Sequence, residues 1–233
     1  MTKKRNKKRI MKYQVSFDIE LKKNPYKGLY IALEGIDASG KTTQLKNLSQ
    51  YFKNQGKEVV EVKEPTREGA VGELIHKILQ SEIEIPRVSL QYLIAADRQV
   101  NLETVVIPAL SQGKVVISDR SFWSSIPYGL ADVDGEGRKN DRLTALSILS
   151  LYHQFIKPDF AFYLDVSVDE AVKRLAHFKK IKEIYERKET LQKVHANYMW
   201  LIKEFSKEIT VVDGEGSVEK VTGDIIKKIE YLK

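Results

Sequence analysis

The residues Gly35-Ile36-Asp37-Ala38-Ser39-Gly40-Lys41-Thr42, with Thr43 behind them, match the pattern G-x-x-x-x-G-K-[ST]. Each fixed position has a physical task. Gly35 and Gly40 let the backbone adopt positive φ and come close to a phosphate chain. The free N–H groups of such a turn, together with the start of the helix behind it, bind an anion. Lys41 adds a point charge for the β- and γ-phosphates, and the Thr42 hydroxyl suits Mg²⁺. The turn follows the apolar run LYIALE and precedes Leu45, Leu48 and Phe52 at helical spacing. A strand, a phosphate loop and a helix therefore follow one another, which predicts binding of ATP or a similar nucleotide with Mg²⁺.

Three acidic–arginine pairs lie downstream, in Glu64-Pro65-Thr66-Arg67, Ala95-Ala96-Asp97-Arg98 and Ser118-Asp119-Arg120-Ser121. Any one alone would pass as a surface ion pair. Together they suit an enzyme that moves phosphate between two anionic substrates, because arginine stays charged and grips phosphate oxygens in pairs. The guanine-reading pattern N-K-x-D of GTP switches is absent. The four histidines, at 76, 153, 177 and 195, lack metal-ligand spacing.

The elements that must position these residues alternate between two periods. Strands are predicted at LYIALEG, KEVVEVKEP, KVVISDRS, DFAFYLDVS and ITVVDG, each followed by a helical pattern. Such βαβ units build a mostly parallel five-stranded sheet with helices on both faces, an α/β three-layer fold. Ligands of such sheets bind beyond the carboxyl ends of the strands, which brings the turns after Glu34, Lys63 and Ser118 to one cleft. Long helices are expected over Arg87–Leu110 and over residues 143–156. Before this domain, YQVSFDIEL (13–21) alternates as a half-buried strand would, and KKNPYKG reads as a turn. Residues 1–27 are thus read as a basic tail with an extra strand, and 28–233 as the catalytic domain.

Seven Lys or Arg and no acid fall within residues 1–12, so the remaining chain carries 32 basic and 32 acidic residues and the net charge of +7 belongs to the tail. Any nucleic-acid contact is confined to that tail, whose alternative is a solvated terminus. There is no cysteine, so disulfides and Cys-based zinc sites are excluded. No segment approaches the ~20 apolar residues of a membrane span, and the basic N-terminus lacks the apolar stretch of a signal peptide. A cytoplasmic protein with no membrane partner is expected.

With these segments in order, the chain resembles the thymidylate (dTMP) kinases of the P-loop nucleoside-monophosphate kinase group. LEGIDASGKTTQ (33–44), KEPTREGAVGELI (63–75), LIAADRQVNLETVVIPALSQGKVVISDRSFWSSIPYG (93–129) and PDFAFYLDVSVDEAVKRL (158–175) carry the resemblance. It implies transfer of the γ-phosphate of Mg·ATP to dTMP, giving dTDP, in a homodimer. Asp37 would hold the acceptor sugar. Glu64 and Arg67 would form the acceptor-side loop, and Arg98 would read the thymine edge. Asp119 would lie near the metal and Arg120 would bridge the two phosphates. Ser125 and Tyr128 would flank base and sugar. Two departures stand out. Ile94 occupies the position where the family often places a stacking Phe. Ala38 leaves the loop without the basic residue that some members carry there, which transfers that charge to a lid over residues 176–189. Lys179, Lys180 or Lys182 is expected to supply it. The rival readings are a deoxynucleoside kinase with Glu64 as base, another nucleoside-monophosphate kinase, and a non-enzymatic nucleotide-binding module.

Overall fold

A computed structural model describes residues 18–133, 141–177 and 183–232. Five strands, β1 (Leu29–Glu34), β2 (Val59–Lys63), β3 (Val115–Asp119), β4 (Phe160–Asp165) and β5 (Ile209–Asp213), form one parallel sheet in the order β2-β3-β1-β4-β5. All five predicted strands are present. β1 lies at the centre because its run is apolar on both faces. Ile31 and Leu33 enter a core with α1 (Lys41–Asn54) and α9 (Val218–Leu232), while Tyr30 enters the core of the opposite face. β3 and β4 divide the same way, with Ile117 and Phe162 on the α1 side and Val116 and Tyr163 on the other. This period-two partition is what near-continuous apolar strands require when helices cover both faces.

The opposite face is covered by α2 (Gly69–Leu79), α3 (Arg87–Asn101), α5 (Ser125–Asp132), α6 (Asp141–Ser150) and α8 (Lys188–Glu204), with α7 (Val168–His177) between β4 and α8. The helical stretch expected over 87–110 is continuous but not uniform. After α3 it widens into a π-helical segment at Leu102–Val106 before α4 (Ile107–Ser111). Pro108 has no N–H to return to the preceding turn, and a widened segment ahead of it absorbs the missing bond. The helix expected over 143–156 stops at Ser150. Ser147 donates to the Leu143 carbonyl at 2.8 Å and Ser150 to that of Ser147 at 2.7 Å, the back-bonding that competes with the helix ladder.

Of the extra strand, residues 13–17 lie outside the described residues, and 18–21 form no strand. A single parallel bridge joins Lys22 to Ile156. The alternation is nonetheless physical: Ile19 and Leu21 pack against the core while Asp18 and Glu20 are exposed. The segment is held by packing and by Asn24, whose amide donates to Asp159 at 2.8 Å, rather than by a ladder. Among the described residues no helix is long and apolar enough to cross a membrane.

Because all five strands run the same way, Glu34, Lys63 and Asp119 end at one edge. Lys63 and Leu33 both pair with Asp119 in register. The three motifs therefore meet beyond that edge, as anticipated.

Candidate active site

The turn Gly35–Gly40 leaves β1 and enters α1 through three positive-φ residues, Gly35 (φ 142°), Ala38 (61°) and Gly40 (99°). At Gly35 a β-carbon would also lie 2.6 Å from Ser39 Oγ and 3.0 Å from the Leu164 carbonyl, so only glycine fits. The buried Lys41 folds back over the turn and donates to the carbonyls of Ile36 (2.8 Å) and Gly35 (3.2 Å). Burial, followed by the nearby Arg120 guanidinium, lowers its pKa to about 8, with Asp119, Asp37 and Glu34 pulling the other way.

Thr42 donates to Asp119 Oδ2 at 2.6 Å. Burial alone would raise the Asp119 carboxyl. Lys41, Arg120 and the Thr42 hydrogen bond outweigh it, and the group sits below the usual carboxylate range. A hydroxyl beside one anionic carboxylate is a hard-oxygen pair that fits Mg²⁺, an ion commonly held by one or two carboxylates plus substrate phosphates. No cluster of three or more metal-ligating side chains exists among the described residues, so the fit is to a metal carried largely by nucleotide.

Arg120 follows β3 with φ 81°, a strained value for a side chain with a β-carbon. Its guanidinium reaches Gly35 O (2.9 Å), Ser124 Oγ (3.2 Å), Asp37 Oδ1 (2.5 Å) and Tyr128 OH (2.7 Å). The charge also lies 4.7 Å from the centre of the Tyr128 ring. Beneath this array is Glu34, fully buried at the end of β1. It accepts from Ser121 N (2.8 Å), Ser121 Oγ (2.7 Å), Ser124 Oγ (2.5 Å) and Tyr198 OH (3.0 Å). Sequence reading missed Glu34. Nothing distinguishes a carboxylate that closes a strand from one that anchors the following turn until Ser121, Ser124 and Tyr198 are brought to it.

Two cavities meet at Asp37 and Arg120. The larger, of about 1160 Å³, contains the whole loop Asp37–Thr43 together with Lys63, Glu64, Arg67, Asp119 and, from α7, Arg174. The smaller is lined by Ile94, Arg98, Ser125, Tyr128, Gln91 and Tyr185, as well as Asp37 and Arg120. In the smaller one, buried Arg98 pairs with Glu64 (Nε to Oε2, 2.8 Å) and donates through Nη1 to Ser125. Burial raises the Glu64 carboxyl, against the pull of Arg98 and of Asn101, which donates to its other oxygen at 3.0 Å. Asp97 turns the other way and accepts from Thr66 N (2.7 Å) and Thr66 Oγ1 (2.5 Å), fixing the loop that follows β2.

The sequence-derived residues thus divide between the two cavities. Gly35 and the buried Ile36 shape the loop, and Ala38, Ser39, Gly40, Lys41, Thr42 and Thr43 line the larger cavity with Asp119, Glu64 and Arg67. Ile94, Arg98, Ser125 and Tyr128 line the smaller one, and Asp37 and Arg120 belong to both. Arg67 is exposed. Lys179, Lys180 and Lys182 lie outside the described residues. Reasoning from sequence overlooked Arg174, which donates to Ala38 O (3.4 Å) and Gly214 O (3.2 Å) and pairs with Glu170 (2.9 Å). A cation therefore does stand beside Ala38, one turn before the lid. Its signal was present as an i,i+4 Glu–Arg pair in DEAVKRL, which reads equally well as a solvated face.

A phosphate loop opening into a second, arginine-lined pocket defines a P-loop phosphotransferase with room for an acceptor beside the nucleotide. The family model described as thymidylate kinase matches residues 33–225. A curated relative from Pyrococcus horikoshii, named probable thymidylate kinase, is 36% identical over 88% of this chain and 97% of its own. A thymidylate kinase from Caldanaerobacter subterraneus subsp. tengcongensis is 34% identical over 89% of this chain and 98% of its own. The solved structure of the Candida albicans thymidylate kinase shares the fold, with a TM-score of 0.72 and 24% identity over 88% of this chain and 92% of that one. This chain belongs to the thymidylate kinase family.

Proposed function

We propose that this chain transfers the γ-phosphate of ATP to dTMP, giving dTDP and ADP. The observation that carries this reading is Arg120. One guanidinium joins the phosphate loop, through Gly35 and Asp37, to Tyr128 in the smaller pocket, so it stands where a donor and an acceptor phosphate would meet. The larger cavity takes the ATP phosphates on the loop amides and Lys41. Thr42, with Asp119 near it, would hold Mg²⁺, and such an ion would supply neutralisation of phosphate charge. dTMP enters the smaller pocket. Its base meets Ile94, Arg98 and Ser125, its sugar meets Asp37 and Tyr128, and its phosphate reaches Arg120 and the exposed Arg67.

The acceptor phosphate is already anionic, so no strong base is required, and positioning with charge neutralisation carries the rate. Arg174, together with one of Lys179, Lys180 or Lys182 of the lid, supplies the cation that Ala38 does not. The geometry disfavours a deoxynucleoside kinase. Glu64, the carboxylate such an enzyme would use as base, has one oxygen on Arg98 and the other on Asn101.

Two further elements belong to this reading. The exposed stripe Val88, Tyr92, Ala96 and Val100 on α3 supports a homodimer, since apolar residues at four-residue spacing cover one helix face. Light scattering at micromolar concentration tests it, and a strictly monomeric mass refutes it. The absence of a membrane-spanning helix among the described residues agrees with a cytoplasmic enzyme. The deciding experiment for the activity is an ATP-coupled assay over dTMP, dUMP, UMP, CMP, AMP and GMP, with thymidine beside them. dTMP is expected to give the highest kcat/KM. A preference for thymidine, or no turnover of any monophosphate, overturns the proposal.

A further inference from the structure

Gln91, Ile94 and Arg98 stand three and four residues apart on α3, so they share one helix face, and all three line the smaller pocket. Gln91 is 5% exposed, yet its Oε1 has no hydrogen-bond partner among the described residues. Such an acceptor is costly to leave unmatched. The amide orientation is fixed from outside. Nε2 faces Asp132 Oδ2 at 3.4 Å, and the same carboxylate oxygen accepts from Tyr185 OH at 2.6 Å. A carboxylate placed there favours the NH₂ end of the amide, which turns Oε1 away from it. Nor can the amide swing aside through α5, because a β-carbon at Gly129 would lie only 3.2 Å from Gln91 Cδ. The other polar groups of the pocket do not need Gln91. Arg98 is satisfied by Glu64, Ser125 and Tyr152 through Nε and Nη1, and its Nη2 makes no hydrogen bond among the described residues.

The geometry points to Gln91 as a specificity-determining residue whose Oε1 accepts a hydrogen bond from the ring N–H of a keto-pyrimidine base. An acceptor at Gln91 and a donor at Arg98 match an edge that carries a ring N–H beside a carbonyl oxygen. That is the edge of thymine and uracil. Cytosine reverses it: its ring nitrogen offers a lone pair to Oε1, and its amino group faces the guanidinium. Gln91 therefore separates dTMP and dUMP from dCMP, a discrimination that Ile94, being apolar, cannot make. This inference rests on the dTMP-phosphorylating reading above.

The experiment measures kcat/KM of the full chain for dTMP, dUMP and dCMP in wild type, Gln91→Leu and Gln91→Met, with thermal melts in the presence and absence of dTMP. Wild-type turnover of dTMP tests the activity itself, and no turnover sinks both readings. The ratio of dTMP to dCMP tests Gln91. In either variant it should fall about 10- to 100-fold, chiefly through KM for dTMP, as one lost buried hydrogen bond implies. The melting shift induced by dTMP should shrink in parallel, while the ligand-free protein melts no lower than wild type because an unmatched acceptor has been removed. An active wild type whose variants keep the dTMP to dCMP ratio would assign Gln91 to packing and overturn the proposal. Gln91→Met provides an unbranched replacement should Gln91→Leu fail to fold.

Discussion

Glu64→Gln isolates the charge of a buried ion pair. The side chains of Arg98 and Glu64 are 3% and 5% exposed, with Nε and Oε2 2.8 Å apart. Glutamine keeps the length of the side chain and an oxygen that can accept from Arg98 or from Asn101. Only the negative charge is lost, and with it the counter-ion of a guanidinium that cannot give up its proton. Removing one partner of a buried pair costs about 3–5 kcal/mol. Because the shape survives, the lower end of that range applies, about 3 kcal/mol. At ~2–4 °C per kcal/mol for a chain of this size, melting should fall by about 6–12 °C. Glu64→Ala adds a cavity and should fall further. A thermal melt of the ligand-free protein, repeated for Arg98→Leu, for Glu64→Leu and for the double variant carrying both, completes a cycle. The double variant should be less damaged than the sum of the singles, since neither orphaned charge remains. A Glu64→Gln protein melting within about 2 °C of wild type would refute the claim that this pair is dry and mutually dependent.

Two other expectations concern the phosphate side. The Lys41 pKa is depressed to about 8, so its contribution to ligand-free stability is present above the ordinary value of 10.5 and is lost as pH falls through about 8. Phosphates prefer the charged form, so ATP binding takes up a proton near pH 8, and affinity weakens by up to about tenfold per pH unit above that. Calorimetric titration in buffers of different ionisation heat measures this, and an ATP affinity flat from pH 7 to 9.5 contradicts it. Arg120→Lys retains a charge but cannot span Gly35, Ser124, Asp37 and Tyr128 at once. Single-turnover rates should fall about 10²–10³-fold, and a near-normal rate would remove Arg120 from the bridging position.

What could be read from sequence was what one segment decides alone. The strand, loop and helix around Lys41 are coded within LYIALEGIDASGKTT, and the five strands announce themselves as apolar runs. Arg98 and Glu64 could be picked out, but not as a pair, because 34 residues separate them and only the register of β2, β3 and the helix behind them joins them. Arg174 and Tyr185 were hidden for the same reason. One sits in an ordinary i,i+4 pair and the other in a charged patch, and each gains meaning from the cavity it lines. Of the extra strand only residues 18–21 are described, and there the alternating burial of Ile19 and Leu21 comes from packing on the core with no strand ladder. Gln91 carried no local signal at all. A lone glutamine on a helix is surface by default, and only its spacing to Ile94 and Arg98 marks it.

The buried Arg98 and Lys41 and the part-buried Arg120 also differ in how they are held, and the differences follow the charge each would meet in the proposed reaction. In the proposed binding mode Arg98 would face the base, which is neutral, and its partner Glu64 is as deeply buried as itself. The pair is nearly neutral overall, so it can offer a hydrogen bond without adding a net field that would draw a phosphate into the base pocket. Arg120 would face phosphate in the same mode, and its partner Asp37 is 25% exposed against 12% for the arginine. Asp37 can therefore turn toward water or a sugar hydroxyl when an anion arrives, leaving the guanidinium free to bind it. Among the described residues Lys41 has no carboxylate on its ammonium, only two carbonyls and the Ser39 hydroxyl, and burial, followed by the Arg120 guanidinium, lowers its pKa. In that proposed mode counter-charge is complete where the ligand would be neutral, displaceable at Arg120, and, among the described residues, absent from the ammonium of the lysine that would meet the triphosphate. Exchanging the first and second arrangements would cost base selectivity on one side and phosphate affinity on the other.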